Sequence, residues 1–225
     1  GFGRFPNVLT SIQFERTLSA SGPTRGVVER PSDGKHPKKI AFLQCVGSRD
    51  RRTNPWCSAF CCMQATKEAI VAKDHDSSIQ STIFFMDLRA FGKGFEAYWE
   101  RAERETGVRY VRSQIATVRE DPKTRDVQLA YSDPETGRPV EEAFDLLVLS
   151  VGAEPSAGSR ELAAKFGVEL DEYGFASAPS LSPVETSREG VYATGMFVAP
   201  KDIPETVTQA SAAAGRVGAY LAEAR

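Results

Sequence analysis

All four cysteines of this 225-residue sequence lie between positions 45 and 62. Eleven residues separate Cys45 from Cys57, three separate Cys57 from Cys61, and Cys62 follows directly. Thiolates are the usual ligands of iron–sulfur clusters, and four of them are the usual complement of a [4Fe–4S] cube. Clustering of this kind in a reducing compartment indicates a metal or redox site rather than structural disulfides. The sequence therefore predicts that these four residues ligate one [4Fe–4S] cluster.

Three other interpretations of the cysteines stay open at this point. Free cysteine is among the most buried residue types, so the four could simply belong to a core. A structural zinc ion also takes four thiolates, although such sites usually show two short Cys-x-x-Cys pairs, which this sequence lacks. A redox disulfide between Cys57 and Cys61 is the third interpretation, and it gives no role to Cys45 or Cys62.

Composition excludes several other classes of function. With 28 basic and 30 acidic residues, the net charge is −2, so the chain has no excess of positive charge that would attract nucleic acid or an anionic membrane. No stretch approaches the roughly 18 apolar residues of a transmembrane helix, and the N-terminus has no signal-peptide pattern. We therefore expect a folded cytoplasmic protein. Because Gly1 stands where an initiator methionine would, we also expect the sequence to be a piece of something longer.

The elements around the cysteines predict how they are positioned. A buried strand is expected over Lys38–Leu43, and Asn54 followed by Pro55 predicts the start of a helix that runs from Trp56 to about Lys73. Cys45 then follows the strand, and Cys57 lies in the first turn of the helix. Cys57 and Cys61, at i and i+4, would share one helix face.

The start of this helix is also where negative charge is favoured, because its free N–H groups and its dipole point there. A cube with four thiolates is an anion overall, so we expect it to suit this place. The loop contains Arg49, Arg51 and Arg52, which could compensate the remaining charge. In a dinucleotide-binding fold the same turn would be glycine-rich, but Gln44–Ser48 holds a single glycine, which argues against NAD(P) here.

Farther along, hydrophobic patterns predict a domain of alternating strands and helices. The expected elements are strand Thr82–Met86, helix Phe95–Glu105, strand Val108–Val111, hairpin Ile115–Glu142 and strand Leu146–Leu149. This order indicates a parallel sheet with βαβ connections and a β-meander crossover, an α/β fold of the NAD(P)-binding Rossmann type. We expect this unit to span 38–150, between a first segment and linker over 1–37 and a C-terminal segment over 151–225.

Four sequence motifs together carry a resemblance to a known family. They are Cys45-Val46-Gly47-Ser48-Arg49-Asp50, Cys57 with Cys61-Cys62-Met63, Met86-Asp87-Leu88-Arg89-Ala90-Phe91-Gly92-Lys93-Gly94, and Pro200-Lys201-Asp202-Ile203-Pro204-Glu205. The sequence resembles the A subunit of heterodisulfide reductase and its bacterial relatives over nearly its whole length.

The resemblance implies a thioredoxin-reductase-like flavoprotein of the pyridine nucleotide–disulfide oxidoreductase type. An FAD-binding domain is split by an inserted NAD-domain-like unit, here 38–150, in which a four-cysteine [4Fe–4S] cluster stands in place of NAD. The segments 1–37 and 151–225 would be the end of the first FAD-domain part and its C-terminal part. FAD binding would then need the N-terminal half-domain, with its glycine-rich phosphate loop, which is absent from this sequence.

Site residues follow from the same resemblance. Cys45, Cys57, Cys61 and Cys62 fall at the cluster ligands, and Glu15 and Lys201 are candidates for contact with the reactive edge of the flavin. The positions that would contact FAD are Gly152, Gly195, Lys201, Asp202, Ile203, Pro204, Glu205, Thr206, Val207 and Gln209. The N-terminus of the last helix would point at the flavin pyrimidine.

The expected function is an oxidoreductase subunit that relays electrons between FAD and the cluster, with flavin-based electron bifurcation as one possible use. The expected partners are other redox subunits of a heterodisulfide-reductase-like complex, among them ferredoxin and hydrogenase or dehydrogenase subunits, and a second copy in a homodimer. One alternative is a non-catalytic docking module that holds a cluster or zinc and contains no flavin. Another is a thiol–disulfide reductase that uses a cysteine pair directly.

Overall fold

The computed structural model describes residues 1–223, and contacts within the chain divide them into two compact units. The first unit contains Gly1–Pro55 and Cys61–Gly152, and the second contains Trp56–Phe60 and the chain from Ala153 onward. The sequence predicted a boundary near residue 37. The contacts give none there, because residues 8–10 form a strand of the same sheet as the segment that follows.

The first unit is built on two sheets. Its strands are β1 (Val8–Thr10), β2 (Lys39–Val46), β3 (Gln80–Phe84), β4 (Arg109–Val111), β5 (Ile115–Glu120), β6 (Val127–Ser132), β7 (Pro139–Phe144) and β8 (Leu146–Val151). Five of them form a parallel sheet in the order β1-β8-β2-β3-β4, and the other three form the antiparallel meander β5-β6-β7. The predicted α/β fold with a β-meander is therefore confirmed.

Helices α1 (Ser11–Leu18) and α2 (Cys61–His75) cover one face of the parallel sheet. Phe14 of α1 and the fully buried alanines Ala65 and Ala69 of α2 belong to one core cluster with Ile40 and Phe42 of β2. Small side chains on α2 let that helix lie close to the strands, and its packing rather than its propensity fixes its position. Helix α3 (Phe95–Arg101) continues into one π-helical turn, Ala102–Thr106, which ends at Gly107, close to the end predicted at Glu105.

The meander covers the other face. Ala41 of β2 and Leu147 of β8 share a second cluster with Leu129 and Phe144 of the meander, and the ring of Phe84 packs edge-on against that of Phe144. Strands β2 and β8 are thus buried on both sides, which explains their almost continuous apolar sequences. The residues of each strand alternate between the helix-covered face and the meander-covered face.

The second unit contains α4 (Ser159–Phe166), a 3₁₀ turn at Gly195–Phe197 and α5 (Ile203–Glu223). Its core is small and rests on four buried residues, Ala163, Val168, Ala176 and Ala193. Near Tyr192 the described chain makes only an isolated bridge, with Glu185. None of the described residues of α5 is buried. Among residues 1–223 no helix is both long and apolar enough to span a membrane.

Candidate metal centre at the carboxyl edge of the sheet

Cys45 lies in a β-bulge at the carboxyl end of β2. Leu43 pairs with Leu149 and Val46 pairs with Val151, so Gln44 and Cys45 together stand opposite the single residue Ser150. The backbone of Cys45 has φ of 60°, in the left-handed region that non-glycine residues rarely adopt. Bulges are common beside functional sites because they re-aim a side chain, and such local strain is typical of them.

Cys61 and Cys62 are the first two residues of α2, and both are buried. The predicted helix start at Trp56 is therefore wrong by five residues. The segment before Cys61 is engaged elsewhere: the Ser58 hydroxyl accepts a hydrogen bond from the Ala153 N–H at 2.9 Å, and the Trp56 ring lies 5.0 Å from that of Tyr173. These contacts hold residues 56–60 in an irregular path.

Cys57 consequently does not share a helix face with Cys61, and the i, i+4 argument fails. Its sulfur accepts a hydrogen bond from the backbone N–H of Ala59 at 3.3 Å, and Ala59 itself has a left-handed φ of 66°. Cys57 belongs to the second compact unit, whereas Cys45, Cys61 and Cys62 belong to the first. The chain between Cys57 and Cys61 can extend over at most about 14 Å.

None of the four cysteines forms a disulfide bond within the described residues. Over residues 1–223 no three cysteine, histidine or acidic side chains are arranged as a preformed metal-ion site. The donor chemistry nevertheless fits an iron–sulfur group, because four unbridged thiols include one on a strand-end bulge and two in the first turn of a helix. The first turn of α2 carries no acidic residue that would repel an anionic group.

The arginines of the β2–α2 loop are partly neutralised already. Arg49 is paired with Asp87, which follows β3, and Arg52 forms a 2.7 Å ion pair with Asp50. Hydrogen bonds from Arg52 lower the pKa of Asp50 to about 2. Burial alone would raise the pKa of Asp87, but the hydrogen bonds from Arg49 and Arg89 lower it below its ordinary value. Among the three loop arginines predicted to compensate a cluster, two thus already have acidic partners.

A cavity of about 590 Å³ opens beside Cys45 at the carboxyl ends of β2 and β3. Gln44, Arg49 and the loop to Arg52 line one side, while Met86 and Gln114 lie on the other. Ligands of open parallel sheets bind outside the carboxyl ends of the strands, where the connecting loops meet. Of the four cysteines only Cys45 lines this cavity, so the cavity does not by itself bring the predicted cluster ligands together.

Sequence reasoning missed two residues of this edge. Asp87, which pairs with Arg49, lies in the third of the four sequence motifs, but no role was predicted for it. A signal was available, because residues just after two adjacent parallel strands must lie near each other. Gln44 was also missed: it is only 7% exposed, and neither side-chain amide atom has a hydrogen-bond partner among the described residues. No periodicity in the sequence could have shown that.

Three of the predicted flavin-contact residues meet in the second unit. The N–H of Gly195 donates to the side-chain carbonyl of Gln209 at 3.0 Å, and a Cβ added to Gly195 would lie 3.1 Å from Cγ2 of Thr206. Gly195 has φ of 64°, so both its conformation and its closeness to Thr206 favour glycine. Gly195, Thr206 and Gln209 therefore form one small cluster between the 3₁₀ turn and α5.

The start of α5 is closed by its own side chains. Asp202 accepts the Glu205 N–H at 2.8 Å, and Glu205 accepts the Asp202 N–H at 3.3 Å, which is a capping box. Lys201 is 9% exposed, and burial lowers its pKa. Predicted contacts Ile203 and Val207 are exposed on the described surface, and Pro204 lies between Ile203 and Glu205 in the first turn of α5.

The two remaining predicted residues lie in the first unit. Glu15 projects from α1 and forms an ion pair with Lys67 of α2, so its carboxylate is already engaged. Gly152 directly follows β8 at the end of the first unit. Neither residue touches the cavity beside Cys45. Contact of Glu15 or Lys201 with the reactive edge of a flavin stays a prediction.

Comparison with known proteins gives close relatives but no matching family model. The second iron-sulfur A subunit of CoB–CoM heterodisulfide reductase from Methanopyrus kandleri is 46% identical over 225 residues, which is 99% of this chain and 34% of the relative. The iron-sulfur A subunit of the same reductase from Methanocaldococcus jannaschii is 43% identical over 99% of this chain and 34% of its own length. The A subunit of the H(2):CoB-CoM heterodisulfide,ferredoxin reductase of Methanothermobacter thermautotrophicus is 42% identical over 96% of this chain and 33% of its own. The chain thus spans about a third of these relatives.

Solved structures with a similar fold are thioredoxin reductases. The enzyme of T. acidophilum matches with a TM-score of 0.57 and 18% identity over 96% of this chain and 57% of its own. That of Lactococcus lactis matches with a TM-score of 0.51 and 21% identity over 83% of this chain and 54% of its own. At these identities the likeness establishes the fold, which is that of the pyridine nucleotide–disulfide oxidoreductases.

Proposed function

This chain belongs to the family of heterodisulfide reductase A subunits, about a third of whose length it spans, and we propose that it holds a [4Fe–4S] cluster on Cys45, Cys57, Cys61 and Cys62. We propose further that the cluster exchanges single electrons with FAD bound by the longer polypeptide. The role is that of an electron-transferring oxidoreductase subunit. It is consistent with the iron-sulfur names of the relatives and with a fold shared with thioredoxin reductases.

One observation supports this proposal: none of the four cysteines forms a disulfide bond, and three of them lie at the carboxyl edge of the parallel sheet. Cys45 is placed there by a strained bulge, and Cys61 and Cys62 by the first turn of α2. A buried structural cysteine needs no left-handed backbone. Strain of this kind persists where a function requires the geometry.

When bound, the cluster would accept and release one electron at a time. The residues of the chain have three tasks toward it. Cys45 and Cys57 would supply thiolates from irregular backbone, where small changes of φ and ψ allow their sulfurs to adjust. Cys61 and Cys62 would supply theirs from a fixed helix start, whose N–H groups favour negative charge. Arg51, exposed and without an ion pair in the described residues, would add positive charge at the rim.

The flavin part of the proposal rests on the second unit. Gly195, Thr206 and Gln209 already form a cluster, and Lys201 and Ile203 lie beside it in sequence. The capping box at Asp202 and Glu205 means that these two side chains would orient α5 rather than donate to flavin. We propose that FAD binding is completed by a part of the polypeptide outside this sequence. The partners would be further redox subunits, ferredoxin among them, with a homodimer as the assembly and the reducing cytoplasm as the compartment.

The test is anaerobic reconstitution of the chain with iron and sulfide. We expect broad brown visible absorbance and about four iron atoms per chain. The variant Cys61→Ser should lose that absorbance, because it removes one of four ligands. Met63→Leu, two residues farther along the same helix, is the matched control and should keep it.

Two results would contradict the proposal. A colourless, iron-free product under strict exclusion of oxygen would show that the chain holds no cluster. One tightly bound zinc ion instead would show that the four cysteines form a structural zinc site. Flavin content of the full-length polypeptide decides the electron-transfer role separately. A polypeptide with the cluster but without FAD would be a docking module for other redox subunits.

A further inference from the structure

Gln44 and Ser150 are neighbours at the carboxyl end of the parallel sheet. Leu43 and Leu149 form the last regular pair between β2 and β8, and the next residue on each strand is Gln44 or Ser150. Adjacent strands lie about 4.8 Å apart, so these two side chains stand side by side. Ser11 occupies the corresponding place after Thr10, which pairs with Leu149 on the other side of β8.

These side chains are buried but unsatisfied. Gln44 is 7% exposed, and Ser150 and Ser11 are each 1% exposed. Neither amide atom of Gln44 has a hydrogen-bond partner, nor has the hydroxyl of Ser150 or that of Ser11, in the described part of the chain. An unpaired buried polar group costs about 1–3 kcal/mol, so three in one row are not expected unless something else satisfies them.

The face of the sheet identifies where the missing partner lies. Ile40 and Phe42 alternate with Gln44 along β2, and both belong to the core covered by α1 and α2. Val148 precedes Ser150 in the same way on β8. Gln44 and Ser150 therefore point to the helix-covered face, at the edge where α2 begins with Cys61 and Cys62. Gln44 also shares its bulge with Cys45, and both line the same cavity.

We propose that Gln44 and Ser150 donate hydrogen bonds to the sulfur atoms of the group held by the cysteines, with Gln44 as the principal donor. This inference rests on the proposed [4Fe–4S] cluster. Hydrogen bonds to sulfur stabilise the reduced, more negatively charged state and are one of the means by which proteins set cluster potentials. Gln44 is thus a tuning residue, and the residues that precede it on the same face of β2, Ile40 and Phe42, are apolar and offer it no hydrogen bond.

The first experiment uses the iron-free chain. Gln44→Met replaces the amide by an apolar group of similar size, and Ser150→Ala removes the hydroxyl. Because the donors have no partner within the described chain, we expect both variants to unfold in urea at the same concentration as the unmodified chain or at a higher one. A clear loss of stability would show that these groups are satisfied by the protein itself, which overturns the inference.

The second experiment measures the midpoint potential of the reconstituted cluster by anaerobic titration monitored by visible absorption and electron paramagnetic resonance. We expect Gln44→Met to disfavour one-electron reduction about tenfold, which corresponds to about −59 mV. Ser150→Ala should shift the potential in the same direction by less. The matched control is Ser81→Ala, because Ser81 is also buried and unpaired among the described residues but lies at the amino end of β3, paired with Ile40.

The outcomes separate the two proposals. If no cluster forms in the unmodified chain, the proposed function fails before this inference is reached. If the cluster forms and its potential is the same in Gln44→Met as in Ser81→Ala, the cluster stands and the role of Gln44 is wrong, and ordered water then remains as the partner of the row. A lowered potential only in Gln44→Met and Ser150→Ala supports the inference.

Discussion

The two ends of the parallel sheet differ in how their most buried polar side chains are partnered. At the amino end, Arg30 is only 6% exposed, and its two terminal nitrogens reach Asp126 at 2.9 Å, Asp145 at 3.3 Å and the carbonyl of Thr124 at 2.6 Å. The second oxygen of Asp145 accepts the backbone N–H groups of Lys38 and Lys39. Arg30 and Asp145 thus tie the starts of β2 and β8 to the connection around Arg30.

At the carboxyl end, two buried polar side chains have no partner in the described part of the chain. Gln44 and Ser150 are buried and unpaired in the described chain, and Cys45 beside them is held in a left-handed conformation. Both ends lie in one compact unit and share the same strands. The amino end also holds one buried, unpaired hydroxyl, that of Ser81, so the difference lies in its partnered charge and in the row of donors beside Cys45 at the other end. In the proposal made above, that row keeps its donors for a group that arrives from outside.

Removing the positive charge of Arg30, at the amino end of the sheet, should have the largest effect on stability. Arg30→Ala leaves Asp126 and Asp145 without their cation in a half-buried place, and the loss should be about 3 kcal/mol in urea unfolding. Lys35→Ala, which removes an exposed partner of Asp33 in the same connection, is the control and should change little. If Arg30→Ala lowered the free energy of unfolding no more than Lys35→Ala does, the ion pairs of Arg30 would not be what stabilises the amino end of the sheet.

Glu68 lies between the two ends, and it offers a test of pH dependence. Its side chain is fully buried on α2, with one oxygen bonded to Gln64 at 2.9 Å, and burial raises its pKa to about 8. The folded state therefore keeps the proton that the unfolded chain releases near pH 4.5. Stability from this group is complete below pH 4.5 and is lost as the pH rises to about 8.

Glu68→Gln should remove this loss, since the amide cannot ionise. Between about pH 5.5 and about pH 7 the stability of the unmodified chain should fall relative to that of the variant by about 2 kcal/mol, measured by urea unfolding at each pH. Glu161→Gln on α4 is the control, because Glu161 is exposed and should give parallel curves. Equal pH profiles for the Glu68 variant and the unmodified chain would mean that this carboxyl is ionised in the fold.

The central strands of the parallel sheet could be predicted from the sequence. A strand was expected over Lys38–Leu43, and all of it except Lys38 belongs to β2, while the apolar run Leu146–Leu149 forms the first four residues of β8. Both signals are local, since a strand buried on two faces must be continuously apolar. The edge strand Val8–Thr10 was missed because it has only three residues, too few for any periodicity.

The geometry of the carboxyl edge could not be predicted from the sequence. The metal centre that the cysteine spacing indicates stays a prediction, and the start of α2 was placed five residues too early. Asn54 and Pro55 are good helix-start signals, but the ring contacts of Trp56 with Tyr173 and Phe175 outweigh them. Such contacts join residues more than a hundred positions apart, and no local pattern encodes them.

The smallest expected effect isolates the strain at Cys45. In the iron-free chain, Cys45→Gly should be more stable than Cys45→Ala by about 1 kcal/mol. Glycine has no Cβ and adopts φ of 60° freely, whereas the Cβ of alanine crowds the backbone in that conformation. Ala41 lies on the same strand, fully buried and in regular register, so Ala41→Gly should instead lose about 1 kcal/mol. Opposite signs at two positions of one strand, measured by urea unfolding, would place the strain at the bulge. If glycine were unfavourable at both positions, Cys45 would be relaxed, and its conformation would no longer argue that this end of the sheet is shaped for a bound group.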